Sequence, residues 1–174
     1  MRHLYLLRHA KSDWDTPGRG DKERPLAPRG RKACRPLGRF LAKLKPAPGL
    51  VLCSTAVRAR QTWEGCAEAG RFDWPVEFRD ELYLASADQL LRLVRRAPEE
   101  PAALLLVGHN PGMEEFARAL AGPGSERAAL DRLTEKYPTG GFAAFELSKQ
   151  GWAELAFGTA RLVTFETPKR LEAA

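Results

Sequence analysis

The residues best suited to chemistry fall directly after apolar runs. Arg8 and His9 follow "HLYLL", Ser54 and Arg58 follow "LVLC", and His109 follows "AALLLVG", with Asn110 and Pro111 next. Guanidinium groups grip a phosphoryl group through forked, charge-assisted hydrogen bonds, and a helix N-terminus adds backbone N–H donors and positive potential. A histidine among such cations has its pKa lowered by like charge, stays neutral near pH 7 and offers a ring lone pair as nucleophile. Were the three runs neighbouring strands, one pocket would collect His9, His109, Arg8 and Arg58 and suit a phosphate dianion. His9 could then take the phosphoryl group itself, and water would hydrolyse the phosphohistidine so formed. Taken singly, each residue has a plainer reading: a histidine at a strand end is more often a structural hydrogen-bonding group, and an arginine a surface charge. His3 lies inside its run and is given no role.

Such a pocket requires a largely parallel sheet, in which ligands bind beyond the carboxyl ends of the strands. The chain supplies that alternation. Residues 2–7 read as a strand, followed by a Gly-, Pro-, Asp- and Lys-rich loop to Arg24. Ala33, Leu37, Phe40, Leu41 and Leu44 predict an amphipathic helix from Gly30 to Lys45, kinked or bounded by Pro36. "LVLCS", residues 50–54, is a buried strand, and Ala59, Trp63, Cys66 and Ala67 mark the next helix, with Ser54 or Thr55 available as N-cap. "PVEFRDELYL" contains a strand, and Ser86 with Gln89 forms a capping box before Leu90, Leu93 and Val94. "AALLLVGHNPGMEEFARALAG" repeats the unit, with Pro111 near the first turn of the helix and Gly122 as a stop. After Tyr137, "TGGFAAFEL", "WAELAFG" and "ARLVTFE" look like short strands of an antiparallel addition at the sheet edge.

Bulk properties bound the answer. The 174 residues suit one domain over 1–174, with about 168–174 ("PKRLEAA") as a flexible tail. Composition, 44% hydrophobic and 29% charged, is that of a globular protein, and no apolar run approaches the roughly 18 residues of a membrane helix. Arg8, His9 and Lys11 interrupt any signal-peptide core, so a cytoplasmic location and no membrane contact are expected. Cys34, Cys53 and Cys66 are widely spaced and belong to no metal-ligand pattern, which reads as reduced, mostly buried thiols and no metal. Net charge is +6, but residues 1–74 carry 16 Lys and Arg against 7 Asp and Glu (+9), whereas 75–174 carry 12 against 15 (−3). An anionic substrate, a nucleic-acid surface and a solvated basic face are each consistent with that bias.

Beyond these readings, the motifs resemble the histidine phosphatase superfamily and, within it, the small SixA-type phosphohistidine phosphatases. "LYLLRHAKSDW" is similar to the family's R-H-G signature with Ala10 in the glycine position. "RPLAPRGRKA" resembles the R-P-L-[TS]-x-x-G stretch that opens the first helix, with Ala27 where Thr or Ser would cap it. "STAVRARQT" resembles S-x-A-x-R-A-x-Q-T, and "LLLVGHNPGMEEF" the segment bearing the second histidine. The resemblance implies an α/β three-layer sandwich: a mostly parallel central sheet with an antiparallel edge, the phosphoglycerate mutase-like fold without its large helical insertion. It implies that His9 accepts the phosphoryl group while Arg8, Arg58 and His109, with Ser54 as a lesser candidate, bind phosphate. For the general acid, it offers Asp21, three residues before the "RPL" arginine, ahead of Glu81 (or its neighbour Asp80) in "FRDELYL".

The leading expectation is therefore a cofactor-free, metal-independent phosphatase of phosphohistidine or a related phosphate ester, with a phosphohistidine protein as candidate partner. It would be a monomer or small homo-oligomer that binds no nucleic acid. A broad phosphomonoesterase or phosphoglycerate mutase-like enzyme on small metabolites is the second reading. A basic nucleic-acid or phosphoprotein-binding module is the third; it gives His109 no use, and no aromatic residues interleave with the basic ones for stacking. The cations on the 30–45 helix are a solvated face or, alternatively, a dock for an acidic protein.

Overall fold

The computed structural model describes residues 1–15, 18, 20–148 and 151–174. Its six strands are β1 (Arg2–Arg8), β2 (Leu50–Ser54), β3 (Val76–Arg79), β4 (Ala103–Gly108), β5 (Phe142–Leu147) and β6 (Arg161–Glu166). They form one sheet in the order β3-β2-β4-β1-β5-β6. β1, β2, β3 and β4 pair in parallel, with Leu4 opposite Leu104 and Val51 opposite Leu105. β5 runs antiparallel to β1, and the edge strand β6 antiparallel to β5. The antiparallel strand thus lies one place in from the edge.

The helices are α1 (Pro28–Leu41), α2 (Val57–Gly70), α3 (Ala87–Arg95), α4 (Gly112–Leu120), α5 (Arg127–Glu135) and α6 (Pro168–Ala173). They cover the sheet on both faces. Leu4, Leu6, Leu52, Leu104 and Leu106 face α3, α4 and α5. The alternate residues Tyr5, Leu7, Val51, Cys53, Leu105 and Val107 face α1 and α2. Two covered faces explain why β2 and β4 are apolar throughout rather than alternating. The result is a three-layer α/β sandwich.

Several local expectations change. α1 runs through Pro36 and stops at Leu41 instead of Lys45. Proline removes a helical N–H, but Ala33, Cys34, Leu37 and Leu41 are buried on the core side of the same helix. That packing outweighs the lost bond. Ser86 and Gln89 do form the capping box of α3, with Ser86 Oγ accepting from Gln89 N at 3.2 Å. α2, by contrast, begins after Ala56 without a side-chain cap. Ser54 and Thr55 are not its caps: Ser54 Oγ takes the Ala56 N–H at 3.2 Å and reaches toward the site.

"WAELAFG" is not a strand but contains a 3-10 turn, Trp152–Glu154. Trp152 and Leu155, three residues apart, are both buried, and the indole N–H donates to the Pro101 carbonyl at 3.0 Å. α5 carries only Ala129 and Leu133 as buried residues, a stripe too sparse to stand out in the sequence. Residues 168–173 form α6, capped by Thr167, with Leu171 packed on the α1/α2 side of the core. Cys34, Cys53 and Cys66 are free and buried.

Candidate active site

β1, β2 and β4 end side by side, and their parallel register brings Arg8 level with Gly108, the residue before His109. The His9 N–H donates to the Gly108 carbonyl at 3.0 Å, and the Gly140 N–H donates to the carbonyls of Arg8 and His9 at 3.1 and 2.9 Å. Gly140 does this with φ of +74°, a conformation that favours glycine. The segment after β1 is therefore fixed from both sides. The pocket beyond it, about 290 Å³, is lined by Arg8, His9, Asp21, Arg24, Arg58 and His109 among others.

The chemistry of His9 follows from its partners. Its Nδ1 lies 2.7 Å from the Ala10 carbonyl oxygen. A carbonyl only accepts, so Nδ1 carries the hydrogen and Nε2 keeps its lone pair. Arg58 Nε–H donates to that Nε2 at 3.4 Å. The imidazole pKa is held down to about 3, chiefly by burial, with His109, Arg58 and Arg8 adding like-charge repulsion. Burial thus contributes more than the neighbouring charge that the sequence suggested.

Ala10 is fully buried, its N–H donates to Thr62 Oγ1 at 2.9 Å, and it does not occupy the left-handed region. No backbone strain therefore arises from alanine in the glycine position. Thr62 Oγ1 in turn donates to the Arg58 carbonyl at 2.7 Å, tying the end of β1 to α2.

His109 sits with its ring centroid 5.2 Å from that of His9, and its Nε2 lies 2.7 Å from Ser54 Oγ. Ser54 Oγ also accepts the Ala56 N–H at 3.2 Å, and in the arrangement where its own hydrogen goes to Nε2 the His109 hydrogen is on Nδ1. The pKa of His109 is also lowered to about 3, by burial first and then by Arg58. His109 Nδ1 and Arg8 Nε are the buried side-chain polar atoms without a hydrogen-bond partner among the described residues. Buried donors without partners are costly, and an anion is what would satisfy both.

Asp21 meets this group from the 3-10 turn Asp21–Glu23. Its carboxylate accepts from Arg58 Nη2 and Arg24 Nε, each at 3.1 Å, and from the Tyr83 hydroxyl. These bonds hold its pKa down to about 2, the Tyr83 hydrogen bond having the largest effect. Glu81 is not brought into the pocket. It is bound by Arg79 at 2.7 Å and approached by Arg96, and its neighbour Asp80 accepts from Lys22 at 2.9 Å.

Sequence reasoning missed two contributors, Arg24 and Tyr83, and read Asn110 only as part of a helix start. Arg24 is buried and donates to Ser12 Oγ at 2.7 Å while its guanidinium lies 3.5 Å from the Trp14 ring. Tyr83 packs edge-on to His109 and donates to Asp21. Asn110 Oδ1 accepts the Glu114 N–H at 3.1 Å and so caps α4. Arg24 stands in the quoted "RPL" stretch, a signal that could have found it; Tyr83 and Asn110 needed the fold. No cluster of three His, Cys, Asp or Glu side chains able to hold a metal ion occurs among the described residues.

Two adjacent neutral histidines at the ends of parallel strands, beside the partly buried Arg8 and the buried Arg58 of α2, can bind and attack a phosphoryl group. The model of the histidine phosphatase superfamily (branch 1) matches residues 4–143, the stretch that contains all of them. This chain belongs to the histidine phosphatase superfamily. An uncharacterised protein of Mycobacterium tuberculosis is 38% identical over 164 residues, 94% of this chain and 100% of that protein. A solved candidate phosphohistidine phosphatase SixA from Nakamurella multipartitia is 32% identical and superposes with a TM-score of 0.83 over 96% of both chains. Another, from Agrobacterium tumefaciens, is 32% identical with a TM-score of 0.78, covering 96% of this chain and 98% of that one. This histidine phosphatase chain is similar to these three relatives over nearly its whole length. Among the described residues, no helix is long and apolar enough to cross a membrane.

Proposed function

We propose that this protein is a phosphatase that hydrolyses phosphohistidine, or a similarly activated phosphate, through a covalent phosphohistidine intermediate on His9. The observation that carries the reading is the pair of unpartnered buried nitrogens, Arg8 Nε and His109 Nδ1, in a site where His9 carries its hydrogen on Nδ1 and turns an unprotonated Nε2 toward Arg58. In the first step the Nε2 lone pair attacks phosphorus, a P–N bond forms and the bond to the leaving group breaks. The hydrogen stays on Nδ1, donated to the Ala10 carbonyl, so the intermediate is a phosphorylated imidazolium. Arg8 and Arg58 balance the charge on the phosphoryl oxygens in the transition state, and neutral His109 hydrogen-bonds to them. Water then attacks phosphorus, the P–N bond breaks, neutral His9 returns with its Nδ1 hydrogen, and both protons of the water leave on the phosphate as dihydrogen phosphate.

The condition of Asp21 supports an activated substrate. With its pKa near 2 it is ionised at neutral pH and a poor proton donor. A phosphorylated imidazole protonated on its other nitrogen leaves as neutral imidazole and needs no such donor; an alkyl phosphate does need one. The SixA descriptions of two relatives at 32% identity support the same choice.

His9→Ala decides the mechanism: hydrolysis of p-nitrophenyl phosphate should be abolished, and activity close to wild type would refute it. A panel of phosphohistidine peptide against sugar phosphates and phosphoglycerates decides the substrate. A clear preference for the latter would favour the metabolite phosphomonoesterase instead.

A further inference from the structure

A larger groove, about 830 Å³, runs beside the phosphate pocket and shares Lys11 and Thr139 with it. Its walls come from the start of α1, the end of α5 with the loop that follows, and α6. Lys11, Arg29, Lys32, Lys136 and Lys169 line it, and all are exposed. None of the five forms an ion pair among the described residues. The two further arginines of the groove are engaged, Arg132 on the Phe165 carbonyl at 2.9 Å and Arg170 on Glu166 at 2.7 Å. Glu135 and Glu172 are the carboxylates in the lining, too few to balance the cations.

The type and placement of these cations discriminate among anions. A fixed phosphate suits arginine forks held in place, such as Arg8 and Arg58 of the pocket next door. Here, four of the five are lysines, point charges on flexible stems spread along an open groove. They suit several carboxylates of variable position. We propose that this groove docks an acidic stretch of the phosphorylated protein, next to the residue whose phosphoryl group enters the pocket. The proposal rests on the reading of the substrate as a phosphorylated protein. It gives the enzyme selectivity among phosphoproteins through charge outside the reacting centre, with Lys11 at the junction of groove and pocket.

The test measures binding and turnover separately. One fluorescein-labelled peptide carries four glutamates beside a non-hydrolysable phosphohistidine analogue, and its control carries glutamines there. By fluorescence anisotropy at low salt, the wild-type protein should bind the glutamate peptide about tenfold tighter, a preference that fades as salt is raised. K32E/K136E/K169E should lose that preference while its kcat/KM for p-nitrophenyl phosphate stays at the wild-type value, which also certifies its fold. Equal binding of both peptides by the wild type overturns the proposal, as does a preference that survives in the variant. Single-stranded DNA of equal charge binding more tightly than the glutamate peptide, with the same loss in the variant, would overturn it in favour of a nucleic-acid surface. If phosphohistidine peptides are bound but not hydrolysed while p-nitrophenyl phosphate is cleaved, the substrate reading fails and the anisotropy still decides the groove.

Discussion

Acidification from pH 6.5 to pH 5 should destabilise this protein steeply, and His9 and His109 should account for most of the loss. In the unfolded chain both titrate near the ordinary 6.5, whereas in the folded protein both are held down to about 3. Over this interval the unfolded state binds protons that the native state does not, so stability rises with pH and falls as pH is lowered. Each group then contributes about 1.4 kcal/mol per pH unit. Because the unfolded histidines are half protonated at pH 6.5, that full slope is reached only below it, and over the 1.5 units each contributes about 1.7 kcal/mol and the pair roughly 3 kcal/mol, a large part of the 5–15 kcal/mol typical of a domain. His3 is shifted in the same direction and adds to the slope, so the comparison must be between variants. Depressed carboxylates such as Asp21, near 2, lose their contribution only at lower pH. Urea denaturation between pH 5 and 7.5 measures the slope for wild type and for His9→Asn/His109→Asn. The double variant should be flatter by roughly 2–3 kcal/mol per pH unit in this interval. An unchanged slope would refute the claim that these imidazoles are buried neutral, and with it the lone-pair nucleophile.

Other expectations follow from particular contacts. Vanadate or tungstate should raise the melting temperature, by the equivalent of about 2.7 kcal/mol at a hundred times its dissociation constant. Arg58→Ala should remove most of that shift in the same thermal assay. Tyr83→Phe deletes the strongest influence on Asp21, so a carbon-13 titration of that carboxylate should move upward. Gly30→Ala would place a methyl 2.1 Å from the Lys11 carbonyl oxygen, forcing apart the start of α1 and the segment after His9. It should cost on the order of 1–3 kcal/mol, read as a drop in melting temperature of several degrees.

The sequence by itself determined the alternation of buried strands and helices and the strand ends where the chemistry sits. Continuous apolar runs such as "ALLLV" can only be strands covered on both faces or buried helix, and the turn residues after them decide for strands. Arg8, His9 and His109 were legible for the same reason: polar side chains directly after a buried run must lie where the strand emerges, and Arg58 follows in the first turn of the next helix. The Ser86 capping box was legible because both of its bonds are local. Pro36 sets no boundary because its local penalty is set against burial of α1, which depends on residues far along the chain. α5 escaped notice because two buried side chains in nine residues leave almost no period to read.

Only the tertiary structure decided which ring nitrogen of His9 is free, since that depends on the direction of one carbonyl at Ala10. Only it separated Asp21 from Glu81. Both are acidic residues in short turns, but one faces Arg58, Arg24 and Tyr83 and the other faces Arg79. Sequence fixes which groups a chain carries and, through periodicity, which end of a strand they leave from. The direction of a side chain, and hence its partners and its proton, depends on contacts between segments that only folding brings together.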